Sequence, residues 1–422
     1  MNFDFADLLM DVVARRASDL HITAGAPPMV RVRGRLVGVE GYPRLSPTDT
    51  REVVYSILTN DQRQKLETEC QIDFAYSVPG HARFRVNAYF QRSAIGAAFR
   101  LIPADIISID DLGLPTAVHD FTKKPRGLVL VTGPTGSGKS TTLAAMLDSI
   151  NAERQEHILT IEDPIEFLHK HKKCIVNQRE LGADAATFAL GLKAALRQDP
   201  DVILVGEMRD IETVKTALTA AETGHLVFST LHTISATDSI NRIIDFFPSH
   251  QQAQARAMIA GTLKGIVSQR LVPTVDGNGR IATAEILVMT GRVHDMIMDP
   301  TLTGQLPEVI AEGGYYGMQT FDQHLMQHLQ AGRVGMEDAL RVATSPHDFK
   351  LMVHAAGRPK GEGQAQGPGA PARDTRREPT VYPLPGVATV TESAPPPPAA
   401  APPAPQPSSA PQPSAAPPGF GG

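Results

Sequence analysis

Apolar residues recur along this chain in two rhythms. From Met1 to about Ile102 the pattern is mixed: a helical repeat over Asp7–Arg16 is followed by alternating stretches. In MVRVRGRLVGVE, Val30 and Val32 on one side and Leu36 and Val37 on the other flank a turn at Gly34, and FRVNAYF alternates with period two. Such alternation predicts half-buried strands, so 1–102 reads as a small α/β domain. Further on, the runs GLVLVTG, HILTIED, DVILVGE and HLVFST are short and apolar, end in polar residues or glycine, and are separated by helical stretches such as Phe188–Arg197. That order predicts a second α/β domain over 116–357, with a mostly parallel sheet under helices and a ligand site at the carboxyl ends of its strands. Between the two, PADIISIDDLGLP (Pro103–Pro115) is bounded by prolines and rich in Asp, as an interdomain hinge would be.

Composition changes this picture at the C-terminal end. Of the 34 prolines, 18 fall between Arg358 and Gly422, in runs such as SAPPPPAAAPPAPQP with almost no apolar periodicity. The segment 358–422 is expected to be disordered with polyproline character, either solvated or recruiting a partner. The net charge of −5 argues against a nucleic-acid binder that works by bulk charge. Cys70 and Cys174 are too few for a disulfide framework or a paired-cysteine zinc site, which fits a reducing compartment. The N-terminus carries Asp4, Asp7 and Asp11 among apolar residues and no basic region, so it reads as an amphipathic helix rather than a signal peptide. With no apolar run near the roughly 18 residues of a membrane span, the expectation is a cytosolic protein without a transmembrane segment.

The chemistry begins at GPTGSGKST, between the apolar run Leu128–Val131 and a helical pattern. Gly133, Pro134, Thr135, Gly136, Ser137, Gly138, Lys139, Ser140 and Thr141 satisfy the P-loop pattern, and strand before with helix after is the context it requires. The glycines let backbone N–H groups converge on phosphate, Lys139 reaches the β- and γ-phosphates, and Ser140 offers its hydroxyl to Mg²⁺. Turnover also needs carboxylates. Glu162, Asp163 and Glu166 in TIEDPIEF and Glu207 in DVILVGE stand at strand ends. Glu207 occupies the place of a water-activating carboxylate. Gly206 precedes it where many such enzymes have Asp, so metal binding leans on Ser140 with Glu162 and Glu207 beside it. His225 and His232 bracket the strand HLVFSTLHT and are read as sensors of the γ-phosphate.

Together GPTGSGKST, TIEDPIEF, DPDVILVGEMRD and ETGHLVFSTLHT resemble the Walker A, Asp box, Walker B and His box of the secretion ATPase superfamily, and within it the retraction motors of type IV pili. ASDLHITAGAPPMVRVRG, FFPSHQQAQARAMIAGTLKGIVSQRLVP and GMQTFDQHL extend the resemblance from about Leu8 to Val353. It implies a PAS-like N-terminal domain over 1–102, a linker over 103–115, and a RecA-like ATPase domain with a C-terminal helical part over 116–357. It further implies a homo-hexameric ring that binds ATP and Mg²⁺ at the cytoplasmic face of the inner membrane. Its partners would be an inner-membrane platform protein and a related accessory motor ATPase, with no direct nucleic acid. By the same resemblance, Arg85 in RFRVN and Arg100 in FRLIP cover the nucleotide phosphates, with Arg83 and Arg92 as weaker candidates. The extra N-terminal domain and four-cysteine zinc element of extension ATPases have no counterpart here, which favours retraction. Where retraction motors carry an AIRNLI-like segment, this chain has RVHDMIMD, Arg292–Asp299, which leaves an accessory or assembly role open. The competing classes are a ring-shaped nucleic-acid translocase, for which basic and aromatic pore residues are wanting, and a scaffold that binds ATP without cleaving it.

Overall fold

The alternating N-terminal stretches form one six-stranded antiparallel sheet: β1 (Asp19–Ile22), β2 (Met29–Val32), β3 (Arg35–Gly38), β4 (Gln71–Val78), β5 (Ala82–Gln91) and β6 (Ala94–Ile102), in the order β3-β2-β1-β6-β5-β4. The structure, a computed structural model, describes residues 4–356 other than 33, 80, 103, 104 and 278. The proline-rich segment 358–422 and the first two residues of the Pro103–Pro115 hinge therefore lie outside the described residues. β2 and β3 form the hairpin read around Gly34, and FRVNAYF lies within β5. The inward positions Leu20, Phe84, Val86 and Phe99 are fully buried. Helices Phe5–Ala14, Pro47–Ile57 and Asn60–Glu69 accompany the sheet, and the first lays Phe5, Leu8, Leu9 and Val12 into the same core. That helix starts earlier than its apolar period suggests because Asp4 accepts the Ala6 N–H, and it stops before Arg16, whose φ is 51°. The other two open on capping boxes, Ser46 with Asp49 and Thr59 with Gln62.

The second sheet contains β7 (Gly127–Thr132), β8 (His157–Glu162), β9 (Ile175–Glu180), β10 (Val202–Val205), β11 (Leu226–Leu231), β12 (Leu263–Pro273) and β13 (Arg280–Val288), in the order β13-β12-β7-β11-β10-β8-β9. Every pairing is parallel except the β12–β13 ribbon at one edge. β7, β10 and β11 are buried along their whole length, as strands covered on both faces must be. On one face Val129 and Val131 meet Leu143, Met146 and Ile150 of the helix Lys139–Glu153. On the other, Leu128, Ile203 and Val205 meet the helices Phe188–Ala195, Ile211–Glu222, Ala236–Asp245 and Gln252–Thr262. This is the α/β architecture that the two apolar rhythms predict.

Three features tie the molecule together around this sheet. Ile109 and Leu114, in the segment between the two sheets, are buried in its core. Phe321, Leu325 and Phe349 of the C-terminal helices, with Val334 between two of them, close over Val272 of β12. Arg83 of β5 pairs with Glu180 of β9 at 3.0 Å, linking the two sheets. The described residues form a single compact unit, and among them no helix is long and apolar enough to cross a membrane.

Candidate functional site

The P-loop runs from the end of β7 into the helix Lys139–Glu153, and its shape is dictated by glycine. Gly133 has φ 144°, and a Cβ there would lie 2.4 Å from the Gln269 carbonyl oxygen and 2.5 Å from Ser137 Oγ. Gly136 and Gly138 have φ 79° and 90°. With Gly138 at its N-cap, the helix receives no side-chain cap, so its first N–H groups are left for a ligand. Lys139 Nζ donates to the carbonyls of Gly133 at 2.9 Å and Pro134 at 3.1 Å. Burial lowers the pKa of this ammonium against the attraction of Glu207 and Glu166.

Those carboxylates share one cavity of about 470 Å³ with Lys139, Ser140 and Thr141 at the carboxyl ends of the parallel strands. Glu162, Asp163, Glu166, Glu207 and His232 all line it, together with Thr135, Gly136 and Gly138. Glu207 accepts from Arg209 Nε at 2.7 Å, and its other oxygen faces His232 Nε2 at 3.5 Å. Glu162 sits deeper and accepts from Thr160 Oγ1 at 2.6 Å and Gln178 Nε2 at 3.1 Å. Its burial pushes the carboxyl pKa up despite those bonds. Asp163 lies 3.9 Å from Arg209 Nη1.

Other expected residues lie elsewhere. His225 precedes β11, at the opposite end of that strand from the cavity, and its Nδ1 meets the Ala220 carbonyl at 3.0 Å. The two histidines thus flank the strand as read, but only His232 is beside the loop. Arg85 and Arg100 stand directly across from each other on β5 and β6 and are exposed. Arg100 pairs with Asp19 at 3.0 Å. Neither lines the cavity of its own chain. Arg83 is engaged by Glu180, and Arg92 is exposed at the β5–β6 turn.

Sequence reasoning missed four residues here. Arg209 holds Glu207, and Arg280 lines the rim. His169 lines the far end, where burial takes its pKa down to about 4. Gln269, buried on β12, donates from Nε2 to the Ser137 carbonyl at 2.7 Å and braces the loop from behind. The polar pair Ser268-Gln269 inside the apolar run GIVSQRLV is the signal that exposes the last of these, because buried polar side chains need a partner.

A nucleoside triphosphate fits this set of groups: uncapped helix N–H donors, glycines that keep the cradle open, a lysine, and carboxylates opposite. Among the described residues no three His, Cys, Asp or Glu side chains are grouped to hold a metal ion by themselves. Ser140, whose hydroxyl is the Mg²⁺ ligand in the P-loop pattern, lines the same cavity.

Comparison with known proteins places this geometry. The family model described as type II/IV secretion system protein matches residues 4–341. The type IV pilus retraction ATPase PilT of Pseudomonas aeruginosa is 47% identical over 346 residues, covering 82% of this chain and 100% of that protein. The type IV pilus ATPase PilU of the same organism is 43% identical over 350 residues, covering 83% and 91%. A crystal structure of the pilus retraction motor PilT with bound ADP superimposes with a TM-score of 0.77 at 47% identity, covering 83% of this chain and 100% of that one. The uncapped loop, the carboxylates opposite it and a match that runs through both sheets make this chain a member of the type II/IV secretion system protein family.

Proposed function

We propose that this protein is an ATP hydrolase that works as a homo-hexameric motor for type IV pilus retraction. The observation that carries the reading is the convergence of Lys139 and Glu207 on one cavity in front of an uncapped helix N-terminus. The P-loop N–H groups and Lys139 hold the triphosphate, and Glu207, fixed by Arg209 and facing His232, orients the attacking water. Mg²⁺ at Ser140 would neutralise charge on the phosphate oxygens. Arg85 and Arg100 supply positive charge when an N-terminal sheet closes over a nucleotide site, and reopening after phosphate release moves the domains. The ring then acts from the cytoplasmic side on an inner-membrane platform protein.

Phosphate release by the purified chain, measured against Glu207→Gln, tests the enzyme. Deletion of the gene with imaging of surface pili tests the role: accumulated fibres that fail to retract support it, whereas bald cells point to assembly. An accessory retraction role is the second reading. Its support is the helix Gly291–Met298, which carries RVHDMIM and pairs Arg292 with Glu312 at 3.1 Å, together with the similarity to PilU. Restoration of retraction in cells lacking every other retraction motor separates the two.

A further inference from the structure

One carboxylate oxygen serves both sheets. Glu180 Oε2, at the end of β9, accepts from Arg83 Nη2 of the N-terminal sheet at 3.0 Å and from the Ile165 N–H at 3.3 Å. Ile165 is buried in the loop that leaves β8, between Asp163 and Glu166, which both line the cavity of the phosphate loop. An arginine of one sheet and the acidic edge of the cavity beside the other are thus two donors to a single atom.

Strand β9 holds this loop with alternate residues, which a strand presents on one face. Gln178 accepts the His169 N–H at 2.8 Å and donates to the Phe167 carbonyl at 2.9 Å and to Glu162 at 3.1 Å. Those partners belong to β8 and the loop after it, whereas Glu180 adds a partner from the other sheet. The backbone fixes where Glu180 stands: its N–H donates to Asp184 at 2.9 Å, and the next N–H, of Leu181, donates to the Glu162 carbonyl at 2.9 Å. The side chains of Glu180 and Arg83 are 11% and 21% exposed, so solvent screens the pair little. Arg83 grips through one N–H, and its Nε is buried without a hydrogen-bond partner among the described residues. A bidentate fork would lock the two sheets, but a single-point contact is free to slide or let go as they move.

We propose that Glu180 is a positioning residue through which the N-terminal sheet sets the place of Asp163 and Glu166 at the nucleotide site. When Arg83 moves with its sheet, the shared oxygen shifts or loses one of its two donors, and the Ile165 amide that anchors the acidic loop follows. Arg83 acts through Glu180 and not on phosphate. The inference rests on the nucleotide-site part of the proposed function and adds the route by which closure of the N-terminal sheet reaches the cavity.

Hydrogen–deuterium exchange of the nucleotide-free full chain reads the contact at backbone amides 165–169. Arg83→Met, a change on the other sheet, is expected to speed exchange there several-fold while the amides of β10 and β11 stay as they are. The same variant lowers kcat for phosphate release roughly tenfold, a fraction of the roughly 10²-fold that a misplacement of about 1 Å costs, with KM for ATP unchanged. Arg83→Lys, which keeps a single-point cation, restores most of both. In a Glu180→Gln background, whose amide oxygen still accepts the Ile165 N–H, Arg83→Met lowers kcat no further. Should Arg83→Met fail to fold, Glu180→Gln is read from the opposite side, as faster exchange at amides 82–86 of β5 together with the fall in kcat. Unchanged exchange at 165–169 in Arg83→Met, or at 82–86 in Glu180→Gln, overturns the proposal. So does a fall in kcat from Arg83→Met that is as large in the Glu180→Gln background as in the wild type, which would put Arg83 on phosphate itself. Absence of ATP turnover in the wild type overturns the motor reading, and the exchange measurement, which needs no nucleotide, still decides the contact.

Discussion

His232 Nε2 stands 3.5 Å from Glu207 Oε1, across the carboxyl ends of the neighbouring strands β11 and β10, while Arg209 Nε holds the other carboxylate oxygen at 2.7 Å. Glu207 is thus gripped from both sides, and its orientation is set by groups that need not touch the substrate. Replacing His232 with Ala frees one side of the carboxylate. We expect kcat to fall on the order of 10²-fold with little change in KM, because misplacement of a positioned group by about 1 Å costs that much. Steady-state phosphate release decides it, and an unchanged kcat would remove His232 from the site.

Lys139 illustrates the opposition between stability and function. Its ammonium is partly buried on carbonyl oxygens, and burial disfavours its charge. Lys139→Met removes that desolvation and leaves an apolar stem in the same place. The nucleotide-free variant should melt at or above the wild-type temperature, as expected where a site residue is kept for function. The upward shift in melting temperature that ATP gives the wild type should be absent. Differential scanning fluorimetry with and without ATP measures both effects.

Gly133 has no room for a side chain. Gly133→Ala would force a left-handed φ on alanine and press its Cβ on the Gln269 carbonyl and Ser137 Oγ. Strain of this kind costs about 1–3 kcal/mol before any clash is relieved. The denaturant midpoint should drop and nucleotide binding should be lost, whereas Gly277→Ala, at φ 66° with open space around it, should leave binding intact. Equal loss in both would mean that backbone conformation, not the cradle, is responsible.

Acid should loosen the molecule through His324, whose burial beside His328 takes its pKa from 6.5 down to about 3. The unfolded chain takes up the proton first, so this contribution is fully present above pH 6.5 and is lost as pH falls from 6.5 toward 3. Within that window the loss is about 1.4 kcal/mol for each pH unit and each such histidine. His169, brought down to about 4, adds a second share over a narrower range. Urea midpoints followed from pH 7.5 to 4.5 should decline, and His324→Gln should decline less steeply by about one proton's worth. Parallel slopes for the two proteins would show that His324 does not carry the effect.

Much of the site was legible before any tertiary contact was known. Short-range periodicity places the strands, and the nine residues Gly133–Thr141 define a phosphate loop because glycine's conformational freedom and the strand-loop-helix order are local properties. Glu162 and Glu207 could be found for the same reason: each is polar at the end of an apolar strand, and parallel strands bring such ends together. Side-chain destinations were not legible. Arg83 and Arg100 are alike in the sequence, yet Arg83 spans to Glu180 and Arg100 pairs with Asp19, because ion pairing depends on which strands become neighbours.

What the sequence determined by itself was the class of chemistry and the order of elements, since these follow from backbone preference, apolar period and a contiguous motif. What only the tertiary structure decided was which distant groups meet: His232 with Glu207 but His225 away from it, Gln269 behind the loop, and His324 on the Ala284 N–H of β13. The physical reason is that hydrogen bonds and ion pairs act over a few ångströms, and separations of tens to more than a hundred residues along the chain carry no record of them until the sheets have formed.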